Sequence, residues 1–373
     1  MENNVRVLQL GMSGNRGGVE SFVLNYAKGL EAMGISFDYV DLYGKGLAGA
    51  DDMLRAGSRI YTVADHRKHP LAAFRKLRRI ISEGGYSCVH INMLSAADPI
   101  PVLAAVSTGA RVLVHSHNTR TVGLHRKLLH AVNTPLLRRL PIVRLACSRE
   151  AGIWMFGKKN FEFVPNALEA EKYCFNAENR TRLRTELGID ESVFLLGFVG
   201  RLFAQKNPAY LAKILSAVKN KNALPVKLLI VGDGELKDAL FEAASDLGVS
   251  QDIIHVGHRS DAAEWYSAMD AFVLPSLWEG LPLVGVEAQA AGLPSFLSAQ
   301  ITDELAVTDL VYFCKLTEDA ENWADAIVSN RRHIGERPGY AAELEQSRFA
   351  LANSSKLLYE LYCGGEKVGD SVE

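Results

Sequence analysis

The sequence predicts an α/β protein with two Rossmann-like, doubly wound domains that face each other across a cleft. Short apolar runs of strand length alternate with helical segments in both halves of the chain. In each half, the first of these runs ends in a glycine-containing or cationic loop that precedes a helix, an arrangement suited to phosphate. At 373 residues, the chain is long enough for two such domains.

The first half opens with an apolar strand, Val5 to Leu10, which leads through the loop GMSGNRGGVE into a helix from about Val19 to Met33. Gly17 and Gly18 directly precede this helix, where bare backbone would let a phosphate approach. A tight turn without a ligand is the alternative. The glycine spacing does not fit the dinucleotide fingerprint, which disfavours a dehydrogenase.

Five further runs in this half read as strands: Phe37–Leu42, Cys88–Asn92, Arg111–His115, Ile142–Ala146 and Phe161–Pro165. The third of them ends in HSHNT, and ligand groups of open α/β sheets lie beyond the carboxyl ends of strands. His115 and His117 would share one side of a continuing strand, so spacing does not choose between them. A metal site at this HxH lacks an evident third and fourth ligand.

The first half is strongly basic. Residues 1–165 hold 22 Lys and Arg against 12 Asp and Glu, a net charge of +10, and the remainder of the chain has a net charge of −12. Basic helices are expected from Pro70 and over Leu124 to Leu140. The first of these carries Arg75, Lys76, Arg78 and Arg79, with Leu71, Phe74, Leu77 and Ile80 or Ile81 as its apolar side. Such a surface is suited to an anionic membrane, although a solvated charged face is the alternative.

The second half repeats the alternation. Strands are expected at Val193–Val199, Val226–Val231, Ile253–Val256, Asp270–Pro275 and around Phe296 and Tyr312, with helices over Asn176–Asp190, Asp319–Asn330 and Gly339–Tyr362. The turn VPNA separates the halves. We therefore predict one Rossmann-like domain over 1–165, a second over 166–345, and a C-terminal helix over 346–373 that packs back on the first domain.

The stretch SLWEGLPLVGVEAQAAGLP, residues 276–294, predicts the centre of the site. Glu279 precedes a helix expected over Leu283 to Ala291, and Glu287 lies about one turn inside it. The amides near Gly280 to Leu283 would form an anion site at the helix N-terminus. Carboxylates on both sides of a phosphate suit hydroxyl groups, so the pattern indicates a sugar nucleotide. Two solvated glutamates on an amphipathic helix are the alternative.

A second candidate loop, GRLFAQKNP, follows the strand Val193–Val199. Its Arg201 and Lys206 could neutralise a diphosphate without a metal ion. Ordinary surface charge on a loop is the alternative.

The sequence predicts that the protein is located in the cytoplasm. No run of about 18 apolar residues predicts a membrane-spanning helix, and the N-terminus lacks the pattern of a signal peptide. The five cysteines are scattered and odd in number, which favours reduced thiols.

Together, the motifs GGVE, HSHN, VPNA, GRLFAQKN, GDGEL, VGHRSD and EGLPLVGVEAQAAGLP resemble the family 4 retaining glycosyltransferases with the GT-B fold. The resemblance covers most of the chain and is strongest to bacterial members of the capsule, exopolysaccharide and lipopolysaccharide type. VPNA stands where many members have a PNG turn followed by aspartate, which leaves only that local turn in doubt.

The resemblance implies that the domain over 1–165 lies on the acceptor side and that the domain over 166–345 binds the nucleotide sugar. It also implies a role for each matched position. Glu279 would hold hydroxyls of the donor sugar, Glu287 the ribose, and Arg201 with Lys206 the diphosphate. The family histidine aligns best with His117, which would orient the sugar. The implied catalytic residues are His117, Glu279, Arg201 and Lys206. The implied donor-binding residues are Gly17, Gly18, Gly257, His258, Arg259, Gly280, Leu281, Pro282, Leu283, Val284 and Glu287.

The expected reaction is a metal-independent, retaining transfer of a hexose or N-acetylhexosamine from a nucleotide diphosphate sugar, with UDP favoured over GDP. The expected acceptor is a glycan or lipid-linked glycan of a surface polysaccharide, reached from the inner face of the cell membrane. No cofactor and no nucleic-acid partner are expected. A GT-B-fold sugar-nucleotide epimerase and a non-catalytic sugar-nucleotide sensor are the alternatives.

Overall fold

The structure is a computed structural model that describes residues 5–15, 17–63, 65, 68–221, 225–332 and 334–365. The chain divides into two compact units. The first unit comprises residues 1–167 and 351–373, and the second unit comprises residues 168–350. The end of the predicted C-terminal segment, residues 366–373, lies outside the described residues.

The first unit contains a seven-stranded parallel sheet in the order β3-β2-β1-β4-β5-β6-β7. Strand β1 follows the predicted bounds, five further strands differ from their predicted bounds by one or two residues, and the short strand at 60–62 was not predicted. The strands are β1 Val5–Leu10, β2 Ile35–Asp41, β3 Ile60–Thr62, β4 Cys88–Met93, β5 Val112–Ser116, β6 Val143–Ala146 and β7 Glu162–Phe163. The strand order reverses between β1 and β4, and the carboxyl ends of strands at such a reversal form the usual ligand crevice of this architecture.

Helices cover both faces of this sheet. They are α1 Gly18–Glu31, α2 Ala50–Arg55, α3 Pro70–Gly84, α4 Ile100–Val106, α5 Leu124–Arg139 and α6 Arg149–Phe156. One core joins α1 and α2 to the sheet through residues such as Phe22 and Met53. The core of the opposite face contains Leu77 of α3 and Leu137 of α5. Leu71, expected on the apolar side of α3, is instead exposed, because Ala73, Leu77 and Ile81 form the buried face.

The second unit contains a six-stranded parallel sheet in the order β10-β9-β8-β11-β12-β13. Its strands are β8 Phe194–Val199, β9 Val226–Val231, β10 Ile253–His255, β11 Ala271–Leu274, β12 Ser295–Ser298 and β13 Val311–Cys314. Its helices are α7 Ala177–Glu186, α8 Pro208–Lys221, α9 Lys237–Asp246, α10 Ala262–Ala268, α11 Leu283–Ala290, α12 Glu321–Ser329 and α13 Tyr340–Glu345. The order reverses between β8 and β11, the two strands that precede the cationic loop and the central stretch.

The last predicted helix, Gly339 to Tyr362, is two helices. The chain leaves α13 at Glu345 and begins α14, Leu351–Tyr362, in the first unit. Between them, the Ser347 hydroxyl donates to Leu344 O (2.7 Å) and accepts the Phe349 N–H (3.0 Å). These local side-chain bonds compete with the helical ladder and end α13.

Helix α14 packs on α1 in the first unit, where Leu358, Leu361 and Tyr362 enter the same core as Phe22. The approach is close, since a Cβ atom at Gly29 of α1 would lie 2.9 Å from Ser355 Oγ of α14. Among the described residues, no helix has the length and apolar character needed to cross a bilayer.

Candidate functional site

Two loops of the second unit meet at the reversal of strand order. Lys206, in the loop after β8, places its Nζ 2.7 Å from Glu279 Oε1, in the loop after β11. Gln205 Nε2 donates to Glu279 Oε2 and to Trp278 O, both at 2.9 Å. The Leu277 N–H donates to Gln205 O at 2.8 Å. The predicted pair Lys206 and Glu279 is therefore in direct contact, and Gln205 holds the carboxylate from the other side.

Glu287 lies on the second turn of α11 and is held by two tyrosines. The Tyr266 hydroxyl donates to Glu287 Oε2 at 2.6 Å, and the Tyr173 hydroxyl donates to Oε1 at 3.3 Å. Burial raises the pKa of the Glu287 carboxyl, whereas both tyrosine hydrogen bonds and the Lys206 charge act to lower it. The Lys206 cation thus acts on both predicted carboxylates.

The N-terminus of α11 lies between these carboxylates in sequence. Pro282 is its N-cap, in an extended conformation, and the helix begins at Leu283. Gly280, Leu281 and Pro282 are buried, and Leu283 and Val284 are half-buried. The first amides of a helix have no intrahelical acceptor, so the Leu283 and Val284 N–H groups can bind an anion.

Arg201 opens the cationic loop and is exposed. Its guanidinium lies over the ring of Phe203, 5.4 Å from the ring centroid. Within the described ranges, no carboxylate pairs with Arg201. It is therefore an uncommitted cation in the same loop as Lys206, although no contact brings the two together.

The third predicted segment of this unit, Gly257 to Arg259, precedes α10. Gly257 has a φ of 70° and its carbonyl accepts the Gly232 N–H at 2.8 Å. His258 is exposed. The Arg259 side chain makes two 2.9 Å bonds to Asp261 and lies 5.0 Å from the centre of the Trp265 ring. The Arg259 side chain is thus already paired with Asp261, whereas the exposed His258 side chain is accessible to a ligand.

In the first unit, Gly17 is the N-cap of α1 and Gly18 its first residue. The buried Glu20 carboxylate accepts the Ser13 N–H at 2.7 Å and the Ser13 hydroxyl at 2.9 Å. A Cβ atom at Gly17 would lie 3.1 Å from Glu20 Oε2. Glu20 therefore closes this loop onto the start of α1.

His117 lies one residue beyond the end of β5, whereas His115 is within the strand. Their rings lie on the same side, with centroids 4.0 Å apart, and both contact Phe22 of α1. His117 Nε2 bonds Asn92 Oδ1 at 2.9 Å. Burial lowers the pKa of His117 to about 3. No group of three potential metal ligands occurs among the residues that the structure describes.

Sequence reasoning did not single out Gln205, Tyr173, Tyr266 or Asn92. Gln205 could have been found as the neighbour of Lys206, and Asn92 as the polar end of an apolar strand. No local pattern marked the two tyrosines, because Tyr173 lies 114 residues and Tyr266 lies 21 residues from Glu287 along the chain.

Comparisons with known proteins match each unit to one family model. The model "Glycosyltransferase Family 4" matches residues 16–150, and "Glycosyl transferases group 1" matches residues 179–329. The putative glycosyltransferase EpsF of Bacillus subtilis (strain 168) is 32% identical over 336 residues, which cover 86% of each chain.

Two further proteins are similar over different extents. The UDP-Gal:alpha-D-GlcNAc-diphosphoundecaprenol alpha-1,3-galactosyltransferase of Escherichia coli is 39% identical over 138 residues, 36% of this chain and 35% of that protein. The crystal structure of Anabaena Alr3699/HepE in complex with UDP has a TM-score of 0.77 at 18% identity and covers 96% of this chain and 100% of that chain. The family matches, the likeness to EpsF and the shared fold agree, and the chain belongs to the family 4 glycosyltransferases of the GT-B fold.

Proposed function

We propose that the protein transfers a hexose or N-acetylhexosamine from a UDP-sugar to a lipid-linked glycan, with retention at the anomeric carbon and without a metal ion. One observation carries the proposal. The Lys206 cation contacts Glu279 and also acts on Glu287, and the first amides of α11 lie between these two carboxylates in sequence. A positive centre between two hydroxyl-binding carboxylates is complementary to a diphosphate between a sugar and a ribose.

In the proposed complex, Glu279 accepts hydroxyl hydrogens of the transferred sugar, and Glu287 accepts those of the ribose. Backbone around Gly257 meets the base. UDP is preferred as the carrier because the similar HepE structure contains UDP and the similar Escherichia coli enzyme is named for UDP-Gal.

In the proposed reaction, the bond from the anomeric carbon to the diphosphate oxygen breaks while negative charge grows on the leaving group. Arg201, Lys206 and the α11 amides stabilise that charge. The acceptor hydroxyl attacks from the face that the diphosphate leaves, and its proton passes to a leaving phosphate oxygen. Retention is proposed from the family resemblance, and the cations supply the charge that a divalent ion would otherwise supply.

The lipid-linked acceptor is proposed from surface charge and from a relative. The galactosyltransferase of Escherichia coli is named for a diphosphoundecaprenol acceptor. Here, residues 99–149 contain eight Lys and Arg and no Asp or Glu. An acceptor of this class carries a diphosphate and lies at a membrane, so a cationic surface favours its approach.

Helix α5 supports a peripheral membrane position. Its attached face contains Thr134 and Leu137, which are buried. The opposite face exposes Leu124 (85%), Leu128 (62%) and Val132 (63%) at four-residue spacing. Exposed aliphatic side chains at this spacing, together with the exposed cations Arg126 and Lys127, form an amphipathic surface suited to an anionic bilayer.

The donor assignment is tested by thermal unfolding with UDP, GDP, UDP-galactose, UDP-glucose and UDP-N-acetylglucosamine, each with and without EDTA. Ligand at 100 times its Kd stabilises the native state by about 2.7 kcal/mol. We expect UDP and at least one UDP-sugar to raise the melting temperature equally in EDTA. Stabilisation by GDP alone, by no nucleotide, or only with a divalent ion contradicts the proposal.

A further inference from the structure

Arg337 is a buried arginine that joins the C-terminal ends of two helices in the second unit. Its Nη2 donates to Tyr266 O at 2.9 Å, at the end of α10. Its Nη1 donates to Met269 O at 2.9 Å and to Ser267 O at 3.3 Å, at the same helix end. Its Nε donates to Ala291 O at 2.9 Å, at the end of α11. One side chain therefore connects two helices that lead into the neighbouring strands β11 and β12.

The helix ends need this outside donor because the chain turns there from helix to strand. The Asp270 N–H, which would bond Tyr266 O if α10 continued, donates to the backbone of β8 at 2.8 Å. The Ser295 N–H, which would bond Ala291 O in a longer α11, donates to the backbone before β13 at 2.8 Å. A cation at the last carbonyls of a helix also complements the helix dipole. Arg337 thus supplies the donors that both helices lack.

The same contacts close a ring of hydrogen bonds around Glu287. The Tyr266 hydroxyl donates to the Glu287 carboxylate at 2.6 Å, and the Ala291 N–H donates to Glu287 O at 3.1 Å. Arg337 bonds the carbonyls of both Tyr266 and Ala291. Glu287 is therefore bonded, at its side chain and at its backbone, by the two residues that Arg337 links.

The second tyrosine that holds Glu287 is also attached to Arg337. The Tyr173 hydroxyl donates to the Glu287 carboxylate at 3.3 Å. Two residues later, the ring of Phe175 lies over the Arg337 guanidinium, with its centroid 4.3 Å from the central carbon. A guanidinium is attracted to the face of an aromatic ring. Arg337 thus contacts both segments that supply a tyrosine to Glu287.

Two other buried arginines bind the same end of α10. Arg180 donates to three carbonyls there, and Arg184 donates to one of them. Within the described part of the chain, neither of them bonds Tyr266 O or a residue of α11. The link between the two helices is therefore particular to Arg337.

We propose that Arg337 is a positioning residue that holds Glu287, through its two tyrosines, in the orientation that binds the ribose hydroxyls. The inference rests on the proposed function, which assigns the ribose to Glu287. Without the guanidinium, the Tyr266 and Ala291 carbonyls lose their donor, and the two helix ends are no longer joined. The carboxylate then keeps its charge but not its orientation, on which its hydrogen bonds to a ligand depend. Lysine does not restore the link, because an ammonium is a point charge whereas the planar guanidinium presents donors in fixed directions.

The test compares UDP with 2′,3′-dideoxy-UDP, which lacks both ribose hydroxyls and keeps the diphosphate and the base. Isothermal titration calorimetry of the full chain in EDTA gives the Kd of each ligand. The wild type is expected to bind the dideoxy compound roughly thirtyfold more weakly, because hydrogen bonds to a charged carboxylate are lost. In Arg337→Lys this ratio should fall to about threefold, because UDP loses affinity while dideoxy-UDP binds as it does to the wild type.

Arg180→Lys is the matched control, because Arg180 is also buried and binds the end of α10 without reaching α11. It should lower the melting temperature and leave the ratio of the two Kd values as in the wild type. A purely structural role of Arg337 would weaken both ligands equally. An unchanged ratio in Arg337→Lys therefore overturns the proposal.

Phe175→Leu tests the same link if Arg337→Lys does not fold. The variant removes the ring over the guanidinium and keeps an apolar side chain, so the ratio should fall to about tenfold. The wild-type ratio in Phe175→Leu then overturns the proposal. A wild type that binds UDP and dideoxy-UDP equally contradicts the assignment of the ribose to Glu287, and in that case the proposed donor site fails together with the role of Arg337.

Discussion

At the scale of residues, Lys206 is central to the proposed donor site of the second unit, because its charge acts on Glu279 and Glu287. We expect Lys206→Ala to lower kcat by about a hundredfold, because one group aimed at developing charge is removed. Lys213→Ala is the control, since its ammonium donates to Glu318 O on the surface, away from Glu279 and Glu287 in the chain. Steady-state kinetics of UDP release measures both. Equal rates for Lys206→Ala and the wild type would contradict the role of Lys206.

A second residue prediction concerns the tyrosine that holds Glu287. Tyr266→Phe removes a 2.6 Å bond to the carboxylate, so the Glu287 pKa should rise further and its charge should be held less firmly. We expect KM for the UDP-sugar to rise about fivefold with little change in kcat. Tyr210→Phe is the control, because its hydroxyl bonds Thr317 instead. An unchanged KM in Tyr266→Phe removes the link between this tyrosine and the donor.

The sequence alone identifies the site residues that belong to local patterns. Glu279 and Glu287 are found from a loop-to-helix pattern, and Lys206 from a cationic loop. Gln205, Tyr266 and Asn92 act through contacts between distant segments, and periodicity contains no information about which segments meet. Arg259 was named for its position, but Asp261 and Trp265 hold its side chain.

At the scale of elements, the exposed apolar side chains of α5 are proposed to bind a membrane surface. The double variant Leu124→Gln and Leu128→Gln should bind vesicles of phosphatidylglycerol and phosphatidylcholine about tenfold more weakly than the wild type. Both side chains are exposed, so folding should be unaffected. Co-sedimentation with the vesicles measures the binding.

Leu54→Gln is the control for this experiment. Leu54 is also exposed, at 55%, but it lies on α2, which packs on the opposite face of the sheet through Met53. Its binding should equal that of the wild type. Equal losses for both variants, or binding that ignores salt and lipid charge, would contradict docking through α5.

Most strands were predictable within two residues because their apolar runs are compact and bounded by turns. The three-residue β3, Ile60–Thr62, was missed because it is short and only partly buried. Helix α7 shows that composition does not predict which polar side chains are buried. Its polar sequence predicted a connecting helix, yet Arg180 and Arg184 are buried and both bond Asp270. A buried arginine needs a partner from elsewhere in the chain, and that partner cannot be read locally.

At the scale of the whole molecule, the buried histidines should make stability depend on pH. Burial lowers the pKa of His90 and of His117 to about 3. The unfolded chain binds these protons near pH 6.5, so the stabilisation is complete above pH 6.5 and is lost progressively as pH falls toward 3. Each group should cost about 2 kcal/mol of unfolding free energy by pH 5.

Urea unfolding at pH 7.5 and pH 5 measures this loss. His90→Asn keeps an acceptor near the Nδ1 position, which faces Tyr362, but it cannot take up a proton. The loss between the two pH values should therefore be about 2 kcal/mol smaller in His90→Asn than in the wild type. The same loss in both proteins would show that burial does not hold His90 neutral in the folded protein.

The stereochemistry of transfer from the UDP-sugar tests the proposed retaining reaction most directly. The anomeric ¹H signal of the transferred sugar is followed by NMR while the enzyme acts on a lipid-linked acceptor, with Lys206→Ala in parallel. We expect a product of the same anomeric configuration as the donor, formed in EDTA and formed far more slowly by the variant. A product of inverted configuration, or equal rates for the variant and the wild type, would contradict it.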